Sequence, residues 1–252
     1  MNFKNKNILV TGASRGIGRS TAIAFAKQGA SVGVNFKSNT VEASRTLNEM
    51  TGDSHQLFQR DISIATEAQG LIQDFIEHYG KIDVLVNNAG IAITHDIDNI
   101  EFEDWTKAWE CTLQTNLFAA ANLSFLAAQQ MMKTNGGHIV NVSSRGAFRG
   151  EPNQPAYGAS KAGLNAMSQS LAKKLAPYGV YVGVVAPGFT ETDMATETLT
   201  EAEKENMLNE TPFHRMARPE EVAHAIMFLA SKDAAYMSGT IIDVNGASYL
   251  RS

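Results

Sequence analysis

Tyr157 and Lys161 stand four residues apart in YGASK, and Ser144 closes the run GHIVNVSS thirteen residues before Tyr157. On a helix that spacing puts phenol and ammonium on one face. A free tyrosine titrates near pH 10 and exchanges protons poorly at neutral pH, but a neighbouring cation favours the phenolate. A hydroxyl aimed at the same point can hydrogen-bond an oxygen on which negative charge develops. The chemistry open to this trio is proton transfer to or from an oxygen. Ser143, fourteen residues from Tyr157, is the weaker serine. A Y-x-x-x-K pair alone is common and most often a surface pair, so its weight depends on what positions it.

The stretch TGASRGIG, residues 11–18, follows the apolar run Ile8-Leu9-Val10 and precedes a helical pattern from Arg19 to Lys27. Gly12, Gly16 and Gly18 fall at a strand-to-helix turn, where a backbone without side chains lets a diphosphate approach N–H groups at the helix start. Ser14, Arg15 and Ile17 share the turn. Short β-branched runs then alternate with helical patterns to the end of the chain, predicting parallel strands at 7–11, 31–35, 55–60, 82–87, 137–143, 180–186 and 239–244. The expected fold is a single-domain α/β protein: a doubly wound, Rossmann-type sheet of about seven parallel strands with helices on both faces.

The second strand ends in Phe36-Lys37-Ser38. An acidic residue there would hydrogen-bond a free ribose 2′-hydroxyl. With Phe36 in that place, Lys37 and Arg15 can clamp a 2′-phosphate and Ser38 can add a hydrogen bond, which predicts NADP(H) over NAD(H); alternatively both cations are solvated surface groups. The fourth strand runs into Asn87-Asn88-Ala89-Gly90, where Asn87 and Gly90 are the leading cofactor neighbours. One long helix is predicted from Glu103 to Met132, with Trp105, Trp109, Leu113 and Leu117 at helical spacing and Cys111 packed as a small apolar residue. Asn116 interrupts that stripe as a polar residue.

TGxxxGIG, NNAG, Asn116, Ser144 and YxxxK, in this order over essentially the whole chain, resemble the short-chain dehydrogenase/reductase family. The resemblance implies interconversion of a carbonyl and a secondary alcohol, with hydride exchanged at the nicotinamide, Ser144 bonding the substrate oxygen and Tyr157 passing the proton. Lys161 would hold the nicotinamide ribose and lower the Tyr157 pKa, and the Asn116 region would hold a proton-relaying water. Further cofactor contacts implied are Asp61-Ile62 at the adenine, although Asp61 could equally cap the next helix, then Asn88 and Ala89, and Pro187, Gly188, Thr190 and Thr192 around the nicotinamide. A substrate lid is expected over about 189–213. The resemblance also implies a homo-oligomer, a dimer or tetramer.

The segments APGFTETDM and RPEEVAHAIMFLAS look most like 3-oxoacyl-carrier-protein reductases, suggesting an acyl thioester substrate. Asn135 and Tyr178 stand where those reductases carry arginines that dock the carrier. Arg145 and Arg149 follow Ser144 and can meet an anionic substrate group, with Phe189 nearby, or serve as surface or interface residues. The alternatives are a sugar, polyol or steroid alcohol dehydrogenase, and a non-catalytic NADP-binding regulator, against which the intact Ser144, Tyr157 and Lys161 argue. A net charge of −5 speaks against nucleic-acid or anionic-membrane partners. Cys111 as the only cysteine excludes an internal disulfide, the six histidines lack metal-site spacing, and no apolar stretch is long enough to span a bilayer, so a cytoplasmic protein is expected.

Overall fold

Runs such as Ile8-Leu9-Val10 and Val182 to Ala186 are apolar at successive positions, as strands covered on both faces must be. In the computed structural model, which describes residues 1–192, 205–206 and 208–251, they form one sheet of seven parallel strands. These are β1 (Asn7–Val10), β2 (Ser31–Phe36), β3 (Gln56–Gln59), β4 (Val84–Asn87), β5 (Gly137–Val142), β6 (Val180–Pro187) and β7 (Ile241–Val244), in the spatial order β3-β2-β1-β4-β5-β6-β7. Each matches a predicted strand to within two residues at either end. After β3 the chain crosses back to lay β4 against β1, with Ile8 opposite Val84 and Val10 opposite Val86. A crevice opens beyond the strand ends at this reversal.

The helices on the described chain are α1 (Gly16–Lys27), α2 (Thr40–Glu49), α3 (Ala65–Tyr79), α4 (Phe102–Leu113), α5 (Ala119–Met131), α6 (Gly146–Arg149), α7 (Pro155–Leu175) and α8 (Pro219–Leu229). Alternation along β1 separates two apolar layers: Ile8 and Val10 pack with Phe25 of α1 and Ile226 of α8, while Leu9 packs with Phe75 of α3 and Leu123 of α5. The predicted helix over 103–132 is divided. A π-helical turn, Gln114–Phe118, lies between α4 and α5 and carries Asn116. Such turns rotate the side chains that follow them and cluster at functional sites. Cys111 departs from its expected packing and is exposed.

Between β4 and β5, and within the sheet, polar side chains satisfy one another. Asn87 donates to Ser124 Oγ at 3.0 Å and to Asn141 Oδ1 at 2.8 Å, and Asn141 donates to Ser168 Oγ at 2.8 Å. Asn87 and Asn141 are direct neighbours across the β4–β5 ladder. This run of bonds ties α5 through β4 and β5 to α7.

Candidate active site

Gly12 takes φ +60°, and a Cβ there would lie 2.8 Å from Ala89 Cα, so the glycine turn and the segment after β4 meet backbone to backbone. A Cβ on Gly18 would lie 2.4 Å from the Gly12 carbonyl oxygen, which makes Gly18 a packing glycine; it does not line the cleft, whereas Gly12, Ser14, Arg15, Gly16 and Ile17 do. Asn88 clamps the turn, its side chain donating to the carbonyls of Thr11 at 2.9 Å and Gly12 at 3.2 Å. The Thr11 hydroxyl in turn accepts from the N–H groups of Asn88 and Ala89. Helix α1 starts at Gly16 without a side-chain cap. N–H groups at such a start suit an anion.

At the end beside β2 and β3 the cleft is walled by Phe36, Lys37, Ser38, Asn39, Asp61 and Ile62. Phe36 and Ile62 are buried. Lys37 Nζ lies 2.7 Å from Asp61, a partner that the sequence reading did not give it. Asp61 is no helix cap: it accepts from the N–H and hydroxyl of Ser63, while Ile64, the residue before α3, makes no side-chain cap. Burial raises the Asp61 carboxyl, yet the bonds from Lys37 and Ser63 bring it below its ordinary value. Along the middle of the cleft run Asn88, Ala89 and Gly90. Asn87, expected beside the cofactor, sits instead in the buried network between strands.

Ser144, Tyr157 and Lys161 line the same cleft. Ser144 leaves the end of β5 and Oγ accepts the Gly146 N–H at 3.0 Å, which directs its own proton elsewhere. A hydrogen bond from Ser144 favours the Tyr157 phenolate, but burial outweighs it and holds the phenol above its usual value, with the Glu151 charge adding to the rise. One turn along α7, Lys161 is 4% exposed and its Nζ donates to the Val142 carbonyl at 2.8 Å, 5.8 Å from the Tyr157 ring centre. Burial pushes its ammonium down to about 8. Asn116 is buried outside the cleft wall and grips the Ile91 backbone from both sides, accepting its N–H at 2.8 Å and donating to its carbonyl at 2.9 Å. A Cβ at Gly90 would stand 3.3 Å from both Asn116 Oδ1 and Lys161 Nζ. Ser143 is buried and donates to the Lys161 carbonyl, away from the reacting point.

Beyond β6, Pro187, Gly188, Phe189, Thr190 and Thr192 close the cleft, where Thr192 Cγ2 comes within 3.0 Å of a Cβ built on Gly16. Arg145 lines the cleft but is 2% exposed, stacks over Phe189 with its guanidinium carbon 3.9 Å from the ring centre, and pairs with Glu210 at 2.7 Å. Arg149 lies outside the cleft wall and shares that carboxylate at 2.8 Å. Residues 193–204 and 207 of the expected lid lie outside the described residues.

His95 and Glu151 are among the residues in and around the site that escaped the sequence reading. His95 is 1% exposed; its Nδ1 meets the Ile93 carbonyl at 2.7 Å and its Nε2 accepts the Ala156 N–H at 3.2 Å, next to Tyr157. Glu151 lines the cleft between α6 and α7. A lone histidine in a loop and a lone glutamate carry no spacing signal, so only the fold brings them forward.

The cleft, about 1150 Å³, runs without interruption from Ser38 to Tyr157. Its glycine-walled centre, uncapped helix start and polar ends fit an elongated dinucleotide. Among the described residues no group of three or more His, Cys, Asp or Glu side chains could hold a metal ion, and no helix is long and apolar enough to cross a membrane.

Fold and site together describe a Rossmann-type protein with a Ser-Tyr-Lys constellation. A family model described as enoyl-(acyl carrier protein) reductase matches residues 12–247. The 3-oxoacyl-[acyl-carrier-protein] reductase of Staphylococcus aureus is 38% identical over 247 residues, covering 97% of this chain and 98% of its own. That of Escherichia coli is 37% identical over 251 residues, 99% of this chain and all of its own. A solved structure from Sinorhizobium meliloti, assigned as a short-chain alcohol dehydrogenase, superposes with a TM-score of 0.91 at 31% identity, over 98% of this chain and 97% of that one. The chain belongs to the short-chain dehydrogenase/reductase family and is an oxidoreductase.

Proposed function

We propose that the protein is an NADPH-dependent carbonyl reductase acting on a 3-oxoacyl thioester. The observation that carries this reading is the meeting of Ser144, Tyr157 and Lys161 in one cleft with the glycine turn. The nicotinamide, when bound, supplies the hydride. Ser144 hydrogen-bonds the carbonyl oxygen, with the Gly146 N–H orienting the serine hydroxyl, and Tyr157 delivers a proton to that oxygen as its negative charge grows. Lys161 holds the nicotinamide ribose and stabilises the phenolate left on Tyr157. Asn116, anchored to Ile91, exposes the π-turn backbone to a water that returns a proton toward Lys161.

Arg15, Lys37 and Ser38 hold the 2′-phosphate, since Phe36 offers no acceptor for a free 2′-hydroxyl. Lys37 exchanges Asp61 for the phosphate on binding. Pro187, Gly188, Thr190 and Thr192 orient the nicotinamide. The names of the reductase relatives support a thioester on an acyl carrier.

The test is turnover of acetoacetyl thioester with NADPH and NADH side by side, in wild type and Tyr157→Phe. NADPH should be the better donor, and Tyr157→Phe should lose at least a hundredfold in kcat while NADPH still binds. Equal use of NADH would remove the cofactor assignment, and unchanged turnover in Tyr157→Phe would remove the mechanism. Reduction of a crotonyl thioester in place of the acetoacetyl one would move the reaction from C=O to C=C, and oxidation of sugars or polyols alone would place the substrate elsewhere.

A further inference from the structure

Glu151 lines the cleft with Ser144 and Tyr157, and its carboxylate lies directly on the chain that follows Ser144. A Cβ on Gly146 would fall 2.6 Å from Glu151 Oε1 and 2.8 Å from its Cγ, so the glycine is what lets the acid sit there. Several other charged side chains of this cleft are paired with opposite charges: Lys37 with Asp61, Arg60 with Glu67 and Asp74, and Arg145 with Glu210. Among the described residues no ion pair or hydrogen bond reaches the Glu151 carboxylate, although two guanidiniums are nearby: Arg145 and Arg149 both close on Glu210. The Glu151 oxygens are not sealed from water, so a donor arriving with a ligand replaces water there with a directed, charge-assisted bond.

We infer that Glu151 is a specificity-determining residue that accepts a hydrogen bond from an uncharged O–H or N–H group carried by the carbonyl substrate at a distance from the reacting oxygen. This rests on the carbonyl reductase reading above. The balance of local charge favours an uncharged group: Arg145 and Arg149 offset Glu210 and Glu151, so neither a cation nor an anion gains from the neighbourhood as a whole. Burial pushes the Glu151 carboxyl up, which Arg149 and Arg145 only partly oppose, and its charge works against the Tyr157 phenolate. A donor resting on Glu151 disperses that charge as it fixes the substrate.

Two sources supply such a donor: the amide of a pantetheine-like thioester arm, or a hydroxyl on the substrate itself. Three β-keto compounds separate them, namely acetoacetyl-N-acetylcysteamine with its amide, ethyl 4-hydroxyacetoacetate with its hydroxyl, and ethyl acetoacetate with neither. For wild type, kcat/KM for one donor-bearing compound should exceed that for ethyl acetoacetate about tenfold or more, and which of the two does so identifies the source. Glu151→Leu should bring the ratio close to one, and Glu151→Gln, which keeps an acceptor oxygen, should retain most of it. NADPH titration of each variant checks that the cofactor cleft is intact. A ratio near one in wild type, or a ratio unaltered by Glu151→Leu, overturns the role of Glu151 while leaving the reductase reading standing; failure of all three ketones with NADPH overturns the reductase reading and the role together.

Discussion

Lys161 is a lysine with almost no contact with water, and its ammonium is pushed down to about 8 by that burial. Two pH dependences follow, of opposite sign. Carbonyl reduction uses the charged lysine, so kcat/KM should be level below pH 8 and fall about tenfold per unit above it. Stability moves the other way. The unfolded chain holds the Lys161 proton up to about 10.4 and the folded chain releases it near 8, so between these values the unfolded state binds more protons and folding becomes more favourable as pH rises. Activity and thermal unfolding measured together from pH 7 to 9.5 check this: activity should drop in a range where the Lys161 contribution to stability increases. That Ser144, Tyr157 and Lys161 line one cleft was legible in the sequence because it depends on spacing along one strand and one helix. The Lys37–Asp61 and Arg145–Glu210 pairs were not, since each joins residues from separate connections whose meeting depends on the packed sheet.

Among the elements, α7 carries Tyr157 and Lys161, and its first turn is held from outside. With Nδ1 against the Ile93 carbonyl, His95 presents the Nε2 lone pair to the Ala156 N–H, doing for this helix what an N-cap side chain does. Trp105 packs edge-on to the imidazole, with ring centres 5.2 Å apart. His95→Leu should cost about 1 kcal/mol of stability, lower Tm by roughly 3 °C and reduce kcat more than NADPH affinity, because the misplaced group is Tyr157 and not the dinucleotide cradle. Differential scanning fluorimetry with steady-state kinetics checks both; an unchanged kcat would confine His95 to packing. The seven strands were readable because buried parallel strands are apolar without interruption. The π turn was not, because Gln114 to Phe118 continues the apolar periodicity of its flanks and nothing in composition distinguishes an i→i+5 bond from an i→i+4 bond.

For the molecule as a whole, α5 and the turn before it leave Phe118 and Phe125 exposed at 49% and 61%, seven residues apart on one side. Large apolar groups so placed favour a second copy of the chain as the covering surface. Phe125→Glu is expected to shift the protein to smaller species in sedimentation velocity, and a wild-type monomer would remove this assembly.

The clamp of Asn88 on Thr11 and Gly12 also bears on how the protein is made. The glycine turn leaves the ribosome before the side chain that fixes it, which follows β4 more than seventy residues later, and β1 cannot complete its pairing until β4 arrives. A nascent chain ending before residue 88 therefore carries the whole TGASRGIG sequence without a cradle for diphosphate. Cofactor can begin to stabilise the folded form only after synthesis has passed the sheet's point of reversal, so the chain up to that point depends until then on contacts of its own or on chaperones.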